Sequence, residues 1–218
     1  MNSAYRRMLL VYPEFSPTYW GMQYALRLIG AKSLMPPLGL ITIAALTPTG
    51  YEFRLVDLNC ESLTAADMAW ADVVLLSAML PQKHALFRAA AQCKRAGKLV
   101  VFGGPYPTAC PEECRPHCDV LVLNEGEVTW PLFLNDLEQG TLKPLYTSTE
   151  KPDVTKTPCP RFDLLKINDY EIIPIQFSRG CPFECDFCDI IVMFGRLPRT
   201  KTPDQLLQEL EGLYQVGF

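Results

Sequence analysis

A chain of 218 residues, 49% hydrophobic and 20% charged, can bury one complete core and part of a second, which excludes a disordered or fibrous protein. A net charge of −4 offers no basic face to displace counterions from a phosphate backbone, so nucleic acid is not an expected partner. The longest uncharged apolar stretch, 34–49, is broken by Pro36, Pro37 and Gly39 and cannot span a bilayer, and the N-terminus lacks a cleavable apolar leader, so a cytoplasmic protein with no transmembrane segment is expected.

Along the chain, apolar runs of strand length recur at Met8 to Tyr12, Phe53 to Val56, Val73 to Leu76, Leu99 to Phe102 and Val120 to Leu123. They are continuous rather than alternating, the pattern of parallel strands covered on both faces. Between the third and fourth, Pro81 to Lys98 spaces Leu86, Ala89, Ala90 and Cys93 for one face of a helix that Gly97 should close. Residues 1–147 are therefore expected to form a five-stranded, doubly wound α/β domain. Ligands of such sheets sit beyond the carboxyl ends of the strands. That directs attention to Pro13 to Gly21, Asp57 to Asn59, Ser77-Ala78-Met79, Gly103-Gly104 and Asn124-Glu125-Gly126-Glu127. The glycine pair either lets a ligand approach the backbone or makes a plain turn. No G-x-G-x-x-G or G-x4-G-K-[ST] occurs, so the dinucleotide and P-loop readings lack their motifs.

Residues 148–170 are rich in Thr, Ser and Pro without apolar periodicity, and a linker or strap is expected there. A second unit, 171–218, should open on a strand over Ile172 to Phe177. It should end on a helix that begins with the capping box Thr202-Pro203-Asp204-Gln205 and buries Leu206, Leu210, Leu213 and Tyr214. One β-loop-α unit cannot cover its own strand edges, so the chain is expected to be part of a longer protein and inactive alone.

Between that strand and helix, Cys181, Cys185 and Cys188 put three thiols into C-x3-C-x2-C. A closed zinc site wants four ligands, and neither His84 nor His117 lies near in sequence. Three buried, unreactive thiols remain an alternative; clustered thiolates otherwise suit an iron–sulfur cluster. With nine cysteines and no export signal, reduced thiols are expected. Cys110, Cys114 and Cys118, with His117 among them, are a rival metal set, disfavoured by Pro111 and Pro116. Cys60, Cys93 and Cys159 are expected to be packing residues.

The spacing, with Phe187 before the last cysteine, resembles the cluster motif of the radical S-adenosylmethionine (SAM) family. That resemblance implies a [4Fe-4S] cluster on Cys181, Cys185 and Cys188 whose open iron binds SAM, with Phe187 beside it, and a reductase, flavodoxin or ferredoxin as electron donor. An α/β unit and strap before the cysteines resemble the cobalamin-binding subgroup of that family. Ser77-x-Met79 and Gly103-Gly104 are similar to its Ser-x-Leu and Gly-Gly elements, which implies cobalamin contacts at Ser77, Met79, Gly103, Gly104, Glu125 and Gly126. The Asp-x-His-x-x-Gly signature is absent from Tyr12 to Gly21, which implies cobalt without a histidine from this chain. Pro36-Pro37-Leu38-Gly39-Leu40, Arg54 to Asn59, Gln176 to Cys181 and Pro198 to Thr202 resemble the branch containing the hopanoid C-methylases, the C-2 type above all. The implied activity is methylation of an unactivated carbon of a small-molecule or lipid-like substrate, at the membrane periphery if the substrate is a lipid. Another radical rearrangement or cyclisation, or a non-catalytic corrinoid or metal-binding module, is the alternative.

Overall fold

The computed structural model describes residues 6–19 and 21–218; Trp20, within the Pro13 to Gly21 segment marked above, lies outside the described residues. In chain order the elements are β1 (Arg7–Tyr12), α1 (Gln23–Ile29), α2 (Leu38–Leu46), β2 (Glu52–Asp57), α3 (Ala65–Trp70), β3 (Val73–Ser77), α4 (Lys83–Arg95), β4 (Leu99–Gly103), α5 (Pro105–Ala109), α6 (Pro111–Cys114), β5 (Val120–Val122), α7 (Gly126–Gln139), β6 (Leu145–Tyr146), β7 (Ser178–Arg179), α8 (Ile190–Phe194), β8 (Arg199–Thr200) and α9 (Pro203–Gln215). Strands β1 to β6 form one parallel sheet in the order β2-β1-β3-β4-β5-β6.

The expected strands form because their residues are apolar on both faces. Leu9, Val11, Val74, Leu76, Val100, Phe102 and Leu121 pack on one side with Met68 of α3, Leu86, Ala89, Ala90 and Cys93 of α4 and Tyr106 of α5. Their neighbours Met8, Leu10, Val73, Leu75, Val101, Val120 and Val122 pack on the other with Leu40 and Ala44 of α2 and Trp130, Phe133, Leu134 and Leu137 of α7. Period-two alternation thus sends successive residues into two different cores. The chain leaves β1 toward β2 on one side and later returns to β3 on the other, so β1 and β3 flank the switch point of the sheet.

A sixth strand extends the expected five. Leu145 and Tyr146 pair with Leu121 and Val122; Tyr146 stacks edge-on against Phe133 and donates its hydroxyl to Asp136. Two residues beside a Thr-rich tract carry no periodicity, which is why composition alone passes over them.

The strap is fastened along its length. Phe162, 2% exposed, packs with Ile41 of α2 and Leu213 of α9. Arg161 N donates to Ile41 O, and the Tyr170 hydroxyl donates to Asp57. Ile172 to Phe177, expected as a strand, joins no sheet and is held only at its ends, where Ile172 N donates to Leu34 O and Phe177 O accepts from Lys201 N. A strand is defined by a neighbour, and only the short antiparallel pair β7–β8 forms beyond it. Helix α9 begins as expected, with Thr202 Oγ1 accepting from Gln205 N and Gln205 Oε1 accepting from Thr202 N. Its buried face is Glu209 and Leu213, however, while Leu210 and Tyr214 are exposed. The helix is rolled so that Glu209 meets Lys201 in a buried ion pair.

Candidate functional site

Six loops rise from the carboxyl edge of the sheet and are stitched in series. Gln82, fully buried, donates from Nε2 to Pro13 O and accepts from Met79 N, tying the loop after β1 to that after β3. Asn59 accepts from Phe15 N and donates to Pro13 O and Asp57, adding the loop after β2. Tyr106 N donates to Ala78 O, joining the loops after β3 and β4. Asn124, left-handed at φ 65°, donates its backbone N–H to Thr108 Oγ1 and its side-chain amide to Thr147 Oγ1, joining the last three. Burial pushes the Asp57 carboxyl and the Tyr12 phenol above their ordinary ranges, and Tyr170 of the strap caps Asp57. The β1–β2 end is therefore closed.

The β3–β4 end is different. Ser77 and Gly103 are register partners. A Cβ added at Gly103 would press on Val122 O at 2.9 Å, and one at Gly104 would run into the Ser77 hydroxyl; Gly104 also sits at φ 86°, where side chains are strained. The Ser77 hydroxyl has no hydrogen-bond partner among the described residues, and Met79 beside it is 46% exposed. Backbone, a free hydroxyl and an apolar side chain line an edge that is held rigidly from both sides. A large planar or chain-like group could lie directly on it.

Two of the residues expected beside these do other work. Gly126 brings the start of α7 so close to α2 that a Cβ would strike Ile43. Glu125, its side chain 1% exposed, spends both carboxylate oxygens on Arg199 and Arg179, at 2.7 Å from Arg199 Nη2 and 2.9 Å from Arg179 Nη1. Helix packing thus accounts for Gly126, and charge pairing engages both oxygens of Glu125.

The cysteine loop is pinned at its base and open at its tip. Gly180 takes φ 92° with Leu197 O crowding the place of a Cβ, and Cys181 N donates to Gly195 O. Arg199 donates to Phe194 O, and Lys151 to Met193 O. Cys181 and Cys188 are half-buried, Cys185 is exposed, and all three are free thiols; Phe187 is 91% exposed. Among the described residues no three His, Cys, Asp or Glu side chains are grouped to hold a metal ion, so the loop does not gather its thiols to a point. The donor chemistry nonetheless fits an iron–sulfur cluster: three soft ligands share one accessible loop, and metal binding commonly supplies the last ordering of its site. Helix α8, which follows Cys188, lies against α5, which follows Gly104, so the loop stands next to the open edge. The rival set behaves as packing: Cys114 and Cys118 are buried in the core and His117 stacks on Phe87 at 3.9 Å.

Sequence reasoning missed Gln82 and the pairing of Arg179 and Arg199, while Asn59 lies in a strand-end loop it had marked. Gln82 is a single polar residue shortly after β3, a position that could have marked it; the arginines pair with a residue 54 and 74 positions away, a separation no local pattern encodes.

A family model described as the B12 binding domain matches residues 25–134. Over 213 residues the chain is 50% identical to an uncharacterized methyltransferase of Synechocystis, covering 97% of this chain and 40% of the relative. It is 36% identical to the hopanoid C-2 methylase of Rhodopseudomonas palustris, with 98% and 41% covered. It is 29% identical to the bacteriochlorophyllide d C-12(1)-methyltransferase of Chlorobaculum tepidum, with 83% and 40% covered. The chain thus spans about two fifths of the length of these relatives. No helix among the described residues is long and apolar enough to cross a membrane.

Proposed function

The chain belongs to the B12-binding domain family, and from that premise we propose that it is the cobalamin-holding part of a radical SAM methyltransferase. Residues 1–147 would form the cobalamin-binding unit, 148–170 the strap, and 171–218 the start of the radical SAM unit. The observation that carries this reading is the open β3–β4 edge, where Ser77 offers an unpartnered hydroxyl opposite Gly103 and Gly104 and the cysteine loop stands alongside.

Ser77, Met79, Gly103 and Gly104 would hold cobalamin, with no histidine of this chain on cobalt; Cys181, Cys185 and Cys188 would hold a [4Fe-4S] cluster, with Phe187 beside SAM. When bound, cobalamin supplies a methyl carrier and the cluster supplies an electron to SAM. The chain's own work is placement. The glycines admit the cofactor to the backbone, the stitched loops keep that edge from rearranging, and the base of the cysteine loop sets where the thiols stand. The proposed reaction is methylation of an unactivated carbon, and the likeness to the hopanoid C-2 methylase supports a hopanoid-like lipid as its substrate. Electrons would come from a reductase, flavodoxin or ferredoxin.

Anaerobic reconstitution of the full-length protein with hydroxocobalamin, iron, sulfide and SAM, followed by product mass, tests the proposal. A product heavier by one methyl group is expected; a ring-closed or rearranged product of unchanged carbon count would overturn the methyltransferase reading and keep the cofactors.

A further inference from the structure

Beyond the cofactor edges, a buried cluster of charges joins the start of α7 to the two sides of the cysteine loop. Glu125 precedes α7 and Glu127 is in its first turn, where the amide ends of the helix favour negative charge. Arg179 donates to both carboxylates, to Glu125 Oε2 at 2.9 Å and to Glu127 at 2.8 and 2.9 Å. Arg199 forks onto Glu125 at 2.7 and 3.1 Å and also donates to Pro152 O and Phe194 O. Lys151 stands 3.8 Å from Glu125. The two arginines flank the cysteine loop, one two residues before Cys181 and the other four residues after Gly195. Their side chains are 10% and 17% exposed.

We infer that Glu125 is a positioning residue: its buried carboxylate, gripped by an arginine on each side of the cysteine loop, fixes that loop in one orientation at the carboxyl edge of the sheet. The purpose of the latch rests on the proposed function, whereas its geometry does not. Stability alone is a poor reason for the arrangement, because desolvating several charges offsets most of their attraction and an apolar contact would hold as well. Planar forks on a carboxylate instead set both distance and angle. The consequence falls on the loop base. Phe194 O and Gly195 belong to the turn that receives the Cys181 amide, so Arg199 links the thiol-bearing strand end to Glu125 through one side chain. Sheet and loop are thereby held in register by one buried carboxylate.

Hydrogen exchange with mass spectrometry on the chain tests this. In Glu125→Gln, which keeps shape but removes the carboxylate of Arg199 and one of the two that Arg179 holds, peptides covering 178–200 should exchange at least ten-fold faster, while β1, β3 and β4 stay within two-fold of wild type. Glu125→Asp, retaining the charge, should recover part of the protection. Unchanged protection over 178–200 in Glu125→Gln would overturn the inference. If that variant loses protection in the strands as well, Arg199→Lys decides: it keeps the charge and loses the fork, so loosening confined to 178–200 supports the latch and wild-type protection contradicts it. Hydroxocobalamin titration of the same wild-type sample separates the two levels, since failure to bind would sink the proposed function and leave the exchange result standing.

Discussion

Val73 to Leu76 are buried, whereas from Pro182 to Phe187 every residue is exposed, and both segments lead into a proposed cofactor site. The edge at Ser77 and Gly104 inherits its shape from two apolar cores, one on each face of the sheet, so it exists before any ligand arrives. The cysteine tip has no core beneath it; only its base is fixed, by Gly180, Arg179 and Arg199. A site for a large organic cofactor has to be preformed to recognise it, while a thiolate site can be completed by the metal itself. The same chain therefore carries one site built by packing and one built by tethering.

Three substitutions sharpen that contrast. Phe102→Ala, which empties a fully buried position on β4, should cost about 3–5 kcal/mol, read as a lower urea midpoint with unchanged slope; a loss below about 1 kcal/mol would mean that the sheet is not the stable unit. Gly180→Ala should cost roughly 1–2 kcal/mol for a side chain in left-handed backbone, with the crowding by Leu197 O added to it, and its effect should appear as protease cleavage within 181–197. Cleavage in the strands instead would show that the two regions are not separable. Cys185→Ala should change stability by less than about 0.5 kcal/mol, as expected of an exposed position, yet abolish the iron–sulfur absorbance after anaerobic reconstitution. Full iron content in that variant would remove Cys185 from the ligand set.

What could be read from the sequence follows the same division. Five strands were visible because burial on both faces leaves continuous apolar runs, and the cysteine spacing and the Thr202 capping box were visible because each is written in adjacent residues. Leu145 and Tyr146 are too short a run to show a period. Ile172 to Phe177 has strand composition but no strand beside it, and pairing is a property of two segments. The Leu210 and Tyr214 face of α9 was misassigned because a buried Glu209–Lys201 pair rolls the helix, and polarity is a poor guide where charge is paired. The charge pairs of Glu125 could not be read from its neighbourhood, because the arginines that hold it lie in another part of the chain.

The account stands or falls on the β3–β4 edge. Equilibrium titration of hydroxocobalamin, followed by its visible absorbance, should show saturable one-to-one binding to the wild-type chain and at least ten-fold weaker binding to Gly104→Val, whose side chain would strike Ser77 and close the approach to the backbone, with the circular dichroism of the sheet retained. Equal binding by both proteins, or none by the wild type, would contradict it.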